Sequence, residues 1–285
     1  MRSHAAVPAT QLLGNDNVRF YFSARDDRNR AQIGHFDAHC AQTPAVINVS
    51  DEPDVRMGAL GTFDDNGVTS SCVVVHGNAL YLYYTGWTLG VTVPFYMSSG
   101  LAISTDNGRN FDKVSAAPIL DRNAIDPFLN ASPWVMIEGG IWRMWYVSGV
   151  AWTHEPSGAR HHYLVKYAES TDGVRWRRPG TICIDFKSEA EYAISRPSVI
   201  KDGSLYRMWF ATRGDAYQLG YAESKDGIGW TRKDEDAGLD LSADGWDAEM
   251  VAYPIVFEAG GKRWMAYNGN GYGRTGIGLA QAEMA

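Results

Sequence analysis

One pattern returns along this chain and limits what it can fold into. The stretch SRPSVIKDGSLYRMWFATRGDAYQLGYAESKDGIGW, Ser195 to Trp230, is matched by ASPWVMIEGGIWRMWYVSG followed by HHYLVKYAESTDGVRW between Ala131 and Trp176. SSCVVVHGNALYLYYTGW with GLAISTDNGRNF repeats it from Ser70 to Phe111. AYPIVFEAGGKRWMAYNGN with RTGIGLAQAE repeats it near the end, and VPATQLLGNDNVRFYFSARDD with RAQIGHFDA near the start. Such a period marks stacked copies of one supersecondary unit. Each copy reads as strand, tight Gly-containing turn, strand, loop, strand, and the middle copies add an Asp-Gly turn and a short fourth strand. Large apolar residues recur at nearly every second place in YRMWFA and RFYFSA, the period of half-buried strands. The abundance of Gly (30), Tyr (15) and Trp (10) suits strands and turns better than helices.

Four-stranded units repeated radially make a β-propeller, whose blades cover one another's apolar faces. The expectation is an all-β chain forming a single five-bladed β-propeller with a central axial funnel, one domain over residues 1–285. Its blades fall near 5–50, 68–115, 130–180, 194–235 and 249–285. A linear β-solenoid is the alternative, with usually shorter repeats. The last copy stops soon after its third strand, which leaves the closure of the ring open.

With the strands of a blade lettered A to D from the axis outwards, antiparallel alternation puts the A–B and C–D turns on one face. The B–C loops and D–A connections lie on the other. STDGVRW, SKDGIGW and STDNGRNF are C–D turns, where Asp bonds the backbone and Gly takes positive φ. Asp106, Asp172 and Asp226 are therefore read as structural, and Glu169 and Glu223 share their face.

The opposite face varies from copy to copy. One B–C position holds Arg25, Trp87, Gly149, Arg213 and Asn270 in turn, and the residue before the strand-A proline is Ser132, Arg196 or Tyr253. Such variation at equivalent places is expected of a funnel lined by distinct contacts. Carboxylates crowd three D–A connections: Asp126 in AIDPF, Glu191 in AEYAISRP, and Asp247 with Glu249 in GWDAEM. Acid–base work on a glycosidic bond needs two carboxylates across a pocket, one protonated and one ionised. Asp126, Glu191 and Glu249 are the catalytic candidates, although loop acids also serve simply as solvated groups or turn caps. Arg25, Arg30, Arg196 and Arg213 would orient those carboxylates or bind an anionic group such as phosphate. Asp26, Ser132, Asp247, Asn268 and Asn270 complete the polar set. Trp87, Phe95, Tyr217, Tyr253 and Tyr272 offer flat faces for sugar rings, with blade packing as the competing role.

Several classes are disfavoured. The net charge of −7 argues against nucleic acid and anionic membranes as partners. Three cysteines with no CxxC pair make neither a disulfide framework nor a zinc site, so no metal or cofactor is expected. GNGYGRTG lacks the GK[ST] ending of a phosphate-binding loop, and the His161-His162 pair is read as loop polarity. Asp64-Asp65 is read as an exposed turn. The start lacks an apolar signal segment and no run reaches membrane-spanning length, so a soluble cytoplasmic protein is the default expectation.

At these residues the sequence resembles the five-bladed propeller glycosidases, the group of glycoside hydrolase families 32, 43, 68 and 130. AIDPF looks like the Asp-Pro element of family 43. SRPSVI with YRMWF, and GWDAEMVAYP with YNGNGYGRTGIGLA, look like an uncharacterised family-32-like branch. The resemblance spans nearly the whole chain. It implies a funnel at the propeller axis with carboxylates from successive blades, Asp126 as a positioning or basic carboxylate and Glu191 or Glu249 as the acid. The chain departs from that pattern in its first blade, where HAAVPAT stands without an Asp-Pro, leaving Asp26 as the replacement. The expected function is a glycosidase-like enzyme acting on a small glycoside, a short glycan or a sugar conjugate. The rivals are phosphorolysis or glycosyl transfer, and a non-hydrolytic role as a cyclase-like biosynthetic enzyme or a sugar-binding module.

Overall fold

The computed structural model describes residues 3–41 and 43–282. Apolar alternation becomes a series of antiparallel meanders, each closed by tight turns. The first comprises β1 (Ser3–Gly14), β2 (Asn17–Arg25), β3 (Ala31–His39) and β4 (Ala45–Val49). The second comprises β5 (Gly67–His76), β6 (Ala79–Leu89), β7 (Phe95–Ser104) and β8 (Asp112–Lys113). The third comprises β9 (Asn130–Glu138), β10 (Ile141–Glu155), β11 (Gly158–Ser170) and β12 (Ile182–Ile184). The fourth comprises β13 (Ala193–Asp202), β14 (Leu205–Arg213), β15 (Tyr217–Ser224) and β16 (Thr231–Arg232). The last has three strands among the described residues, β17 (Ala252–Ala259), β18 (Lys262–Asn268) and β19 (Ile277–Gln281), with one helical turn, α1 (Asn270–Gly273), between the second and third. The arrangement is a β-propeller. No helix among the described residues is long and apolar enough to cross a membrane.

The aromatic residues of the repeat fill the seams between units. Trp145 of β10, fully buried, lies 6.4 Å from Tyr206 of β14, and Phe20 of β2 meets Phe257 of β17 edge-on at 5.4 Å. Burying such a ring stabilises by roughly 1.5–3 kcal/mol. The turn after the third strand of the second, third and fourth units docks on the preceding unit. Arg19 donates to the Gly108 carbonyl, Tyr83 to that of Gly173 and Trp145 to that of Gly227. Gly173 sits at φ +73°, and a Cβ there would stand 2.7 Å from the Trp142 ring, so the tight turn and the seam both require glycine. Asp172 and Asp226 each accept two backbone N–H bonds and a serine hydroxyl inside these turns. Asp106 does the same and is lowered to about 2 by its bonds from Asn110. The acids of the recurring turn hold its shape, and the glycine carbonyls of the same turn make the contacts across the seam.

Besides the Phe20–Phe257 contact, the first and last units are tied by hydrogen bonds to a buried asparagine. Asn268, fully buried at the end of β18, accepts a bond from the Val7 N–H and donates to the Ala5 carbonyl.

Candidate functional site

The innermost strand of each unit is interrupted near its start. Register shifts separate Ala6 from Ala9, Ser70 from Cys72, Ser195 from Ser198, and Ala252 from Ile255, and one in β9 lies between the partners of Trp145 and Val147. In four units the displaced residue precedes a proline and has positive φ: Val7 at 54°, Ser132 at 47°, Arg196 at 57° and Tyr253 at 57°. Proline denies the ladder a donor and so settles at bulges. A non-glycine residue in this region costs about 1–3 kcal/mol. The distortion aims a side chain or a backbone group at the axis, and each unit offers a different one.

These bulges surround a funnel of about 480 Å³ to which every unit contributes. Val7, Ser23 and Arg25 come from the first, and Thr69, Thr85, Trp87, Phe95 and Met97 from the second. Ser132, His161 and Tyr163 come from the third, Ser195, Arg213 and Tyr217 from the fourth, and Tyr253 with Tyr272 from the last. Tyr163 and Tyr217 share a hydroxyl–hydroxyl bond of 2.6 Å across two units. Burial raises Tyr163, Tyr217 and Tyr253, so at neutral pH all three are protonated. The His161 ring stacks on Tyr163 at 4.6 Å and leaves Nε2 without a hydrogen bond. Burial, then the charge of Arg213, lowers it to about 4, so it is neutral at pH 7. A wider groove of about 960 Å³ runs along the outer edge of the first two units. Its inner polar groups are already matched, His35 with Asp54 and Lys113 with Asp64.

No protein-family model matches the chain. Two Mycobacterium tuberculosis proteins, the uncharacterized protein Rv1502 (strain H37Rv) and the uncharacterized protein MT1551 (strain CDC 1551), are 42% identical to it over 282 residues, 99% of this chain and 93% of each of theirs. The chain belongs to their family. Among solved structures it is similar to a glycoside hydrolase (TM-score 0.76, 16% identity, 99% of this chain and 88% of that one). It is likewise similar to a thermostable family-43 glycoside hydrolase (0.74, 16%, 99% and 91%). A third is the Bombyx mori GH32 beta-fructofuranosidase BmSUC1 (0.65, 14%, 98% and 61%). The fold is therefore that of the propeller glycoside hydrolases.

In this family member the carboxylates singled out from the sequence stand away from the funnel, whose described lining contains no Asp or Glu. Asp126 is fully buried and accepts bonds from Tyr146 (2.9 Å), Ser148 (2.6 Å), Lys166 (3.2 Å) and Arg178 (2.8 Å). Asp247 is buried under the Tyr267 hydroxyl at 2.9 Å. Asp64 is no exposed turn residue: it is 1% exposed and binds the Tyr84 hydroxyl and Lys113. In all three cases the tyrosine follows the acid by the same interval and lies on the unit's second strand. The fourth unit has Phe210 at that place, and Glu191 instead takes Thr212, the Lys187 N–H and both arms of Arg232. Burial alone would raise Glu191, but Arg232 and the other donors hold it below the ordinary carboxylate range. These acids fasten each incoming connection to its own unit.

Glu249 differs: it is exposed, and only its backbone N–H is engaged, by Asn270. Asp26 is folded into the β2–β3 loop, bonded to the N–H groups of Arg28 and Arg30 and paired with the Arg30 side chain at 2.7 Å, so it does not stand in for a first-unit acid at the axis. Asn270 organises the approach to β17, accepting from Glu249 and Met250 and donating to Gly245. With Asn268 in the closing seam, neither asparagine faces the funnel. Arg25, Trp87, Ser132, Arg213, Tyr253 and Tyr272 do line it. Arg196 lies deeper, 2% exposed, with its guanidinium donating to the carbonyls of Pro8 and Ser71 from two other units. His161, which reads from the sequence as loop polarity, lines the funnel, as does Tyr163, which carries no distinctive sequence signal, beside the expected aromatic Tyr217.

Proposed function

We propose that this chain is a glycoside-hydrolase-like protein that takes a small glycoside or sugar conjugate into its axial funnel. The observation carrying the reading is the lining itself. Trp87, Phe95, Tyr217, Tyr253 and Tyr272 supply flat faces among hydroxyl donors and two arginines, in a volume typical of small-ligand sites. The propeller glycoside hydrolase scaffold supports the same ligand class. Arg25, Trp87, Ser132, Arg213, Tyr253 and Tyr272 are the proposed contacts.

For turnover, Glu249 is the sequence candidate whose carboxylate remains free to reach a ligand at the mouth. Asp126 and Glu191 would have to leave several hydrogen bonds and their cations before acting. The missing carboxylate in the lining favours a second reading, in which the funnel binds or rearranges a sugar conjugate without opposed acid–base hydrolysis. Both readings are tested by titrating mono- and disaccharides and p-nitrophenyl glycosides against tryptophan fluorescence while following product release, with and without phosphate. Binding lost in Trp87→Ala and Tyr253→Ala supports the site. Hydrolysis abolished in a folded Glu249→Gln supports the first reading, phosphate-dependent product formation supports phosphorolysis, and saturable binding without product supports the second. Sugar binding unaffected by both funnel variants would sink the assignment.

A further inference from the structure

Arg213 stands out among the half-buried arginines. Arg19, Arg178, Arg232 and Arg263 are each matched with a carboxylate within 2.9 Å. Among the described residues the Arg213 side chain has no ion pair and no hydrogen bond, and its Nε is buried without a partner. Its guanidinium is instead caged by the rings of Tyr192 (5.4 Å), Tyr217 (5.1 Å) and Tyr272 (5.9 Å). Cation–π contacts hold such a plane in orientation, but they leave its N–H fork unused. In a chain whose acids outnumber its bases, 33 to 26, an unmatched guanidinium in an enclosed site has not lacked carboxylates to choose from.

Two further cations act in the same direction. Arg25 lines the same funnel and donates at 2.7 Å to neutral Asn29. Arg196 carries its charge into the interior with carbonyl oxygens as its partners, burial bringing it down only to about 10. A cationic site with low-dielectric walls and no acid in its lining focuses a positive potential on the funnel. The planar, pre-oriented fork of arginine suits a two-oxygen anion.

We propose that the sugar ligand of this funnel carries an oxyanion, a phosphate or a carboxylate, which the Arg213 fork receives while the ring lies against the aromatic wall. This rests on the carbohydrate reading above and adds the charge of the substrate to it. Positions of the anion relative to the ring select among substrates, because Arg213 is fixed by its tyrosine cage and the ring must fit beside it.

The test is isothermal titration of the full chain at low ionic strength with glucose, glucose 6-phosphate, glucuronate and inorganic phosphate, repeated on Arg213→Gln and Arg25→Gln. Far-UV circular dichroism and melting temperature establish that each variant is folded. The expected result is at least tenfold tighter binding of one charged sugar than of glucose. That preference should fall to less than threefold in Arg213→Gln and weaken when salt is raised, since rim charges are screened. Phosphate binding that is lost in Arg213→Gln, with no sugar bound, keeps the anion site and overturns the carbohydrate reading. Glucose bound as tightly as its charged analogues keeps the carbohydrate reading and overturns the anion. A charged-sugar preference that survives in folded Arg213→Gln overturns the assignment to this residue, and no response to any of the four probes overturns both.

Discussion

Replacing Asp126 by alanine separates architecture from catalysis most sharply. The carboxylate is fully buried and accepts four side-chain bonds, two of them from the cations Lys166 and Arg178, whose side chains are 9% and 13% exposed. Removing it leaves both charges inside without a counter-ion. Breaking a buried pair in this way costs about 3–5 kcal/mol, and the low exposure of both cations leaves little room for water to compensate. At roughly 2 °C per kcal/mol for a chain of this size, the melting temperature should fall by about 6–10 °C. Asp126→Asn keeps the volume and an acceptor for Tyr146 or Ser148, so it should lose less. Thermal unfolding by circular dichroism gives the first number and sugar titration against tryptophan fluorescence the second. An architectural Asp126 gives large thermal losses with ligand affinity near wild type at a temperature where the variant is folded. A melting temperature within about 2 °C of wild type together with abolished turnover would refute the reasoning and return Asp126 to the catalytic set.

Glu249→Gln should leave stability within about 0.5 kcal/mol, as expected of an exposed side chain, and thermal unfolding against turnover on any glycoside found will show whether its carboxylate acts. His161 predicts a pH effect. Its value of about 4 in the fold lies below the unfolded 6.5, so the unfolded chain holds more protons between those values. Stability from this group is complete above about 6.5 and is lost as pH falls towards 4, by at most about 3 kcal/mol. His161→Phe, which keeps the stack on Tyr163, should therefore flatten the fall in melting temperature from pH 7 to pH 4.5, and an unchanged slope would contradict it. Asn268→Ala removes the bonds to Val7, Ala5 and Gly276 and should cost about 1–2 kcal/mol by leaving partly buried backbone groups unsatisfied, measured by urea unfolding.

The repeat was legible because it is written in large residues and turn glycines, whose spacing survives divergence. The turn acids were legible for the same reason: Asp106, Asp172 and Asp226 recur with their serines, and their bonds are local. The acids of the D–A connections obey the same logic over a longer interval, which the sequence partly hides. Asp64, Asp126 and Asp247 stand at one spacing from Tyr84, Tyr146 and Tyr267, while the fourth unit has Phe210, with no hydroxyl to offer, at the tyrosine's place and Glu191 bonds Thr212 and Arg232 instead. Aligned to their tyrosines, Asp64, Asp126 and Asp247 share one hydrogen-bonded arrangement, which the sequence taken one acid at a time does not show. The depth of Arg196 and the use of Asn268 were not legible, because both depend on which units become neighbours around the axis.

The Asn268 seam has a consequence for how the chain comes off the ribosome. Its partners Ala5 and Val7 emerge more than two hundred and fifty residues earlier, and contacts at such separation are formed late because the loop they close is long. Until β17 and β18 are made, the apolar face of the first unit that packs on them, Phe20 included, stays uncovered and open to other nascent chains. Tyr253 and Tyr272 also belong to that final segment. On the proposed reading of the funnel, a sugar response therefore requires the last unit to be in place and would report ring completion during refolding.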